Sequence, residues 1–151
     1  MKAITWLAAV SLSATVTTTT IAAPVEGWTA DYEAALAQAK KESKSVLLEF
    51  TGSDWCPPCK HMAKNVFSKK EFIDAASEDY VLVKLDFPRA DKELAKKNKP
   101  LAEKYKIRGY PTIVLADASG KEFTRVVGAK HSNVTDFLGW LKKSSEQKDL
   151  D

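Results

Sequence analysis

Apolar positions along this chain alternate between two patterns, stripes of helical period and short unbroken runs of strand length. Residues 29–41 place Tyr32, Ala35, Leu36 and Ala39 on one face. Thr29 is the candidate N-cap, Asp31 and Glu33 sit in the first turn and Lys40-Lys41 close the segment, which predicts a helix. Residues 45–51 form an apolar run with a single acid, Glu49, and read as a buried strand. A polar loop, Thr51-Gly52-Ser53-Asp54, leads into a helix over 56–66, Phe67-Ser68 breaks it, and 70–77 predicts another short helix. Residues 80–86 are a second strand rich in Val and Leu. The strongly charged 88–105 reads as a loop and an exposed helix with Leu94, Leu101 and Ala102 facing inward. Strands at 112–116 and 123–127 are joined by the hairpin signal Asp117-Ala118-Ser119-Gly120. Ser132 or Asn133 caps a last helix to 143 with Val134, Phe137, Leu138 and Leu141 on one side, and the polar 144–151 is expected to fray. Helices alternating with strands and a closing hairpin predict an α/β protein, a mixed central sheet flanked by helices on both faces.

The first residues change the picture of where the chain works. Met1-Lys2 is a short positive region, 3–16 is apolar apart from Thr and Ser, and small residues follow at Thr20 and Ala22. This pattern predicts an export signal, residues 1–23, cleaved after Ala22 or Ala23 to leave a domain over 24–143 in the periplasm or outside the cell. The apolar run is interrupted and shorter than the roughly 20 residues needed to span a bilayer, so no membrane span is expected after signal removal. The chain carries 23 basic and 20 acidic side chains, a formal charge of +3 that becomes about +2 without Lys2. Interleaved pairs such as Lys92-Glu93 and Glu103-Lys104 give a mixed, solvated surface, and nucleic acid is not an expected partner.

Two cysteines, three positions apart, are few for an exported protein. A bridge between Cys56 and Cys59 closes too small a loop to staple a fold. Structural zinc requires four ligands, and neither a second pair nor a suitable spacing of His61 and His131 is present. The residue after the second cysteine is Lys60 rather than the histidine of a c-type haem site. Redox chemistry remains, with a Cu(I) thiolate site as the alternative, although no methionine cluster accompanies the pair. A cysteine at a helix N-terminus meets unsatisfied N–H groups and the positive end of the helix dipole, which favour the thiolate.

The stretch Trp55-Cys56-Pro57-Pro58-Cys59-Lys60 resembles the active site of the thioredoxin superfamily. Ile107-Arg108-Gly109-Tyr110-Pro111-Thr112 resembles that family's cis-proline loop, and Val127-Gly128-Ala129 its glycine turn before the last helix. The resemblance covers roughly residues 45–141. With the export signal and Val66-Phe67-Ser68, it is nearest to periplasmic thioredoxin-like proteins, among them the C-terminal domain of the transmembrane disulfide-interchange reductase.

The resemblance implies a thioredoxin fold and an enzyme that exchanges disulfides with exported proteins. Cys56 would be the exposed attacking thiolate and Cys59 the buried resolving thiol, the two forming a redox-active disulfide. Pro111 would be the cis-proline, Tyr110 would pair with substrate through its backbone, and Trp55 would wall the site. Glu49 resembles the buried acid that shuttles a proton to the second cysteine, and Lys84 the lysine paired with that acid. Pro57 and Pro58 withdraw two N–H donors from the first turn, which points to a reductase or isomerase rather than a strong oxidant. The expected partners are protein thiols and disulfides and a redox partner protein, acting on a monomer with no cofactor and no metal. The competing reading is a non-catalytic Cu(I)-binding or interaction protein using the same pair.

Three features depart from the family pattern. The loop from Glu49 to Cys56 is one residue longer than usual. Lys64 stands where the family has a helix-bending proline, which predicts a straighter helix. The charged stretch 88–105 exceeds that of a minimal thioredoxin and reads as an elaborated loop.

Overall fold

The computed structural model describes residues 26–150, so the predicted export signal lies outside the described residues. The strands are β1 (Trp28–Thr29), β2 (Ser45–Thr51), β3 (Tyr80–Asp86), β4 (Thr112–Ala116) and β5 (Glu122–Val127). The helices are α1 (Tyr32–Glu42), α2 (Pro57–Met62), α3 (Lys70–Asp79), α4 (Lys92–Lys104) and α5 (Val134–Lys148). The strands form one sheet in the order β1-β3-β2-β4-β5, parallel across β1, β3 and β2 and antiparallel from β2 to β4 and β5.

Side chains alternate across a strand, and here that alternation sorts the core into two layers. Leu47, Leu82, Ile113 and Leu115 face one way, onto Met62 of α2, Phe72 of α3 and Phe137 and Leu141 of α5. Val46, Leu48, Phe50, Val83, Leu85 and Val114 face the other way, onto Tyr32, Ala35 and Ala39 of α1 and Tyr105 beyond α4. Every residue of β2 is buried, as befits a central strand paired on both edges.

Three local expectations are corrected. Trp28 and Thr29 do not open α1 but add a parallel edge strand to β3, while Asp31 caps the helix through the Ala34 N–H at 2.9 Å. The cause is Trp28, whose indole is buried against Phe67 and Phe72, with ring centroids at 5.5 and 6.3 Å. The helix after the cysteines is not a straight α-helix. It widens into a π turn over Ala63–Phe67, where the Ser68 N–H reaches back five residues to Ala63 O at 2.9 Å. The wide turn buries both Val66 and Phe67 on one face, and Trp28 Nε1 donates to the Phe67 carbonyl at 3.1 Å. At the other end, α5 runs on through 144–148, where fraying was expected. Ser144 is buried, the Tyr80 hydroxyl lies 3.1 Å from Ser145 Oγ, and Lys148 Nζ donates to Ser45 Oγ at 3.1 Å. In α4 Leu94, Leu101 and Ala102 are half-buried, with Leu101 and Ala102 packed inward against the α1 layer as expected, and the one buried residue is polar Asn98.

Phe137 joins the helical layer, with edge-on contacts to Phe67 at 5.2 Å and Phe72 at 5.5 Å. Phe137→Ala leaves a cavity in a fully buried site and is expected to lower stability by about 3–5 kcal/mol, read as the shift in the urea unfolding midpoint.

Candidate active site

Strand β2 delivers the chain to the site. At its end Gly52 O accepts the N–H groups of Trp55 (3.3 Å) and Cys56 (2.9 Å), a turn that sets Cys56 at the start of α2. Cys56 is the N-cap, in extended conformation, and its Sγ accepts the Cys59 N–H at 3.3 Å. Pro57 and Pro58 occupy the next positions, where a helix leaves N–H groups unpaired in any case, so proline costs nothing structurally and fixes φ for the helix. Cys56 and Cys59 are joined as a disulfide with their Cα atoms 5.2 Å apart.

Both cysteine residues are buried. In this disulfide form Cys59 is 1 % exposed and Cys56 2 %. In the disulfide form the Cys56 sulfur is turned back onto the first helical turn, bonded to Cys59 and covered by its N–H. Gly52 N–H approaches Cys59 Sγ at 3.5 Å, so each sulfur faces one backbone donor.

Glu49 projects from β2 on the side covered by α2, on the same face as Leu47. It is 2 % exposed, and its Oε1 has no hydrogen-bond partner among the described residues. Burial pushes its pKa up to about 7, against the opposing pull of the Lys84 charge and a hydrogen bond with Thr51. Lys84 is its direct neighbour in the β2–β3 register, which places both side chains on one face. They form no ion pair among the described residues, so Lys84 acts on Glu49 through space rather than by contact. Lys84 also lines a cleft of about 310 Å³ together with Thr51, Cys59, Lys60 and Lys64.

The Tyr110–Pro111 peptide is cis. Gly128 N–H donates to Pro111 O at 2.8 Å, and the Thr112 hydroxyl to Gly109 O at 2.8 Å, which pin this loop to the start of β4 and the end of β5. Gly128 has φ +80, the left-handed conformation that glycine takes without strain. Tyr110 meets the edge of Trp55 at 5.6 Å and Phe87 at 5.3 Å.

Sequence reasoning missed a latch between the turn 51–55 and residues 86–90. The Asp86 carboxylate accepts both the N–H (3.0 Å) and the hydroxyl (2.5 Å) of Ser53. Phe87 N–H donates to Thr51 O at 2.8 Å, and Trp55 Nε1 donates to Phe87 O at 2.8 Å. Asp54 accepts the N–H groups of Arg89 (3.0 Å) and Ala90 (2.8 Å), which lower its pKa. Behind them Asn98 Nδ2 donates to Asp86 O at 2.7 Å. The only sequence signal was a strand ending on Asp86, followed by Pro88 and a helix-capping Asp91.

The thioredoxin-like domain family matches residues 32–145, and the chain belongs to that family. Among curated relatives it is similar to the disulfide bond reductase DsbH of Chlamydia pneumoniae, 37% identical over 98 residues that span 63% of this chain and 59% of the relative. It is 33% identical to the thiol:disulfide interchange protein DsbD of Pseudoalteromonas atlantica over 65% of this chain and 16% of that one. The match therefore spans less than two thirds of either relative's length. Among solved structures a DsbH oxidoreductase superposes with TM-score 0.70 at 31% identity, covering 89% of this chain and 94% of that one. A thioredoxin from Thermus thermophilus does so with TM-score 0.59 at 25% identity, covering 77% and 84%. The fold is the thioredoxin fold.

A carboxyl whose folded pKa lies above its ordinary value stabilises the fold below that ordinary value, and the contribution is lost as pH rises through the folded value. For Glu49 the decline runs from about 4.5 through about 7. Oxidised wild-type protein is therefore expected to lose stability relative to Glu49→Gln as pH rises from about 5 to 8, by on the order of 2 kcal/mol, in urea titrations at each pH.

Proposed function

We propose that this chain is a thiol–disulfide oxidoreductase acting on exported proteins, with reduction or isomerisation as its direction. The observation that carries this reading is the Cys56–Cys59 disulfide at the start of α2, with the preceding Trp55 against Tyr110 of a cis Tyr110–Pro111 peptide, in a chain of the thioredoxin-like family. The Cys56 thiolate attacks a substrate disulfide, forms a mixed disulfide and releases one substrate sulfur as thiolate. Cys59 then gives up its proton and attacks the Cys56 sulfur, which releases the second substrate thiolate and regenerates the Cys56–Cys59 disulfide. Two electrons have passed to the substrate, and a redox partner protein returns them. Glu49, with a pKa near 7, is suited to accept the Cys59 proton, and Lys84 tunes it. Trp55, Tyr110 and Pro111 form the rim on which substrate lies.

Export rests on the signal read in residues 1–23, and no helix among the described residues is long and apolar enough to cross a membrane. The protein acts as a monomer on thiol and disulfide substrates. The direction rests on the donors available to Cys56. With Pro57 and Pro58 at the helix start, the Cys59 N–H is the one backbone donor on its sulfur among the described residues, so the thiolate gains little and the disulfide is favoured.

Reduction of insulin by dithiothreitol is expected to accelerate with wild-type protein and to fall to the uncatalysed rate with Cys56→Ser. Cys59→Ser is expected to accumulate covalent mixed disulfides on Cys56 in mass spectra. Trapped partners on Cys59 of the Cys56→Ser variant would reverse the two roles.

Equilibration against a glutathione series is expected to place the Cys56–Cys59 midpoint nearer about −270 mV than about −120 mV. A midpoint at the oxidising end would show that the absent donors do not govern the pair.

A further inference from the structure

The latch presents one charge to the substrate side that exchange chemistry does not use. Arg89 is exposed, and its guanidinium carbon lies over the Trp55 ring, 4.9 Å from the centroid. Trp55 cannot readily move from beneath it. Its Nε1 is bonded to Phe87 O, its edge rests on Tyr110, and its ring lies so close over Gly52 that a Cβ there would come within 2.4 Å of it. The Arg89 backbone is held in turn by Asp54. Backbone and ring together aim the guanidinium along the wall of the site, in a cation–π stack that leaves its N–H edge free.

That edge has no partner among the described residues. Among the described residues no acid forms an ion pair with Arg89, and its side chain donates no hydrogen bond. Asp54 is near enough to feel the charge, but both of its oxygens are engaged by backbone N–H groups. A planar fork of donors, stacked on an aromatic ring and unpaired, matches a carboxylate.

We propose that Arg89 is a specificity-determining residue, receiving a substrate carboxylate that lies within a few residues of the disulfide under attack. This rests on the oxidoreductase reading above. It gives the lengthened segment before α4 a function: the segment carries a cation to the rim of the site, and the Asp54, Asp86 and Asn98 hydrogen bonds hold it there.

The test uses disulfide-linked peptides that differ only in the residue beside cysteine: Glu, Gln or Lys. Reduced full-length protein is mixed with each, and the second-order rate constants are compared as ratios within each variant, which cancels any general loss. Wild type is expected to prefer the Glu peptide over the Lys peptide by about tenfold at low salt, and less at high salt. Arg89→Gln is expected to bring the ratio close to one, Arg89→Glu to invert it, and Arg89→Lys to keep only part of it, since the fork is lost. Oxidised glutathione supplies carboxylates without a longer polypeptide. A charge effect confined to glutathione, an unchanged ratio in Arg89→Glu, or no preference in wild type would each overturn the assignment. Failure of wild type to exchange with dithiothreitol as well as with every peptide would instead remove the oxidoreductase reading, and this one with it.

Discussion

The double pairing of β2 is the constraint on which the rest of the site depends. Seven consecutive residues, Ser45 to Thr51, are hydrogen-bonded to β3 on one edge, and five of them to β4 on the other, so the strand cannot slip without inverting every side chain. The register leaves Glu49 opposite Lys84 on β3 and Ile113 on β4, under α2. The same strand sets where the chain emerges at Gly52, whose carbonyl gathers Trp55 and Cys56 and whose N–H meets Cys59 Sγ. A one-residue shift would drive the acid into the apolar α1 layer and turn Leu48 and Phe50 to the α2 side. The extra residue in the loop between Glu49 and Cys56 is harmless because it lies after the strand, in a turn that the Ser53–Asp86 hydrogen bonds take up.

Much of this was legible in the sequence, for reasons that differ by element. The strands at 45–51, 80–86 and 112–116 are apolar runs bounded by polar turns, so pattern and pairing agree to the residue. The cysteine pair, the cis-proline loop and the glycine turn are local motifs whose chemistry sits in the residues themselves. β1 was not legible, because two residues carry no period and Thr29 looks like a cap. Its hydroxyl accepts the Asp31 N–H at 3.1 Å, a local turn ahead of the helix, and the cap itself is Asp31. The π turn and the end of α5 were hidden for another reason. Each depends on a distant partner, Trp28 for the Phe67 carbonyl and Tyr80 and Ser45 for the last turns of α5.

The charged segment 88–105 shows why surface composition conceals architecture. By sequence it is an elaborated loop with an exposed helix, and most of α4 is exposed. Its end packs inward through Leu101, Ala102 and the buried Tyr105, while within α4 the one buried residue is an amide, Asn98, where an apolar residue would have been expected. An apolar residue there would leave the Asp86 carbonyl without its partner at the edge of the active-site turn. The segment is therefore bound to the site by polar contacts at its base while its outer face stays charged, a division no periodicity reveals.

The buried acid and the bare helix start act on the two sulfurs in different ways. Each sulfur faces one backbone donor, Cys59 N–H for Cys56 and Gly52 N–H for Cys59, so hydrogen bonding alone distinguishes them weakly. Asymmetry comes from charge. Glu49, enclosed on the α2 side of the sheet with one oxygen unpartnered, is neutral over much of the range below pH 7 and disfavours a second anion nearby above it. In the proposed exchange this would couple proton to electron: the helix dipole favours a negative Cys56, and an acid with a raised pKa is suited to take the Cys59 proton.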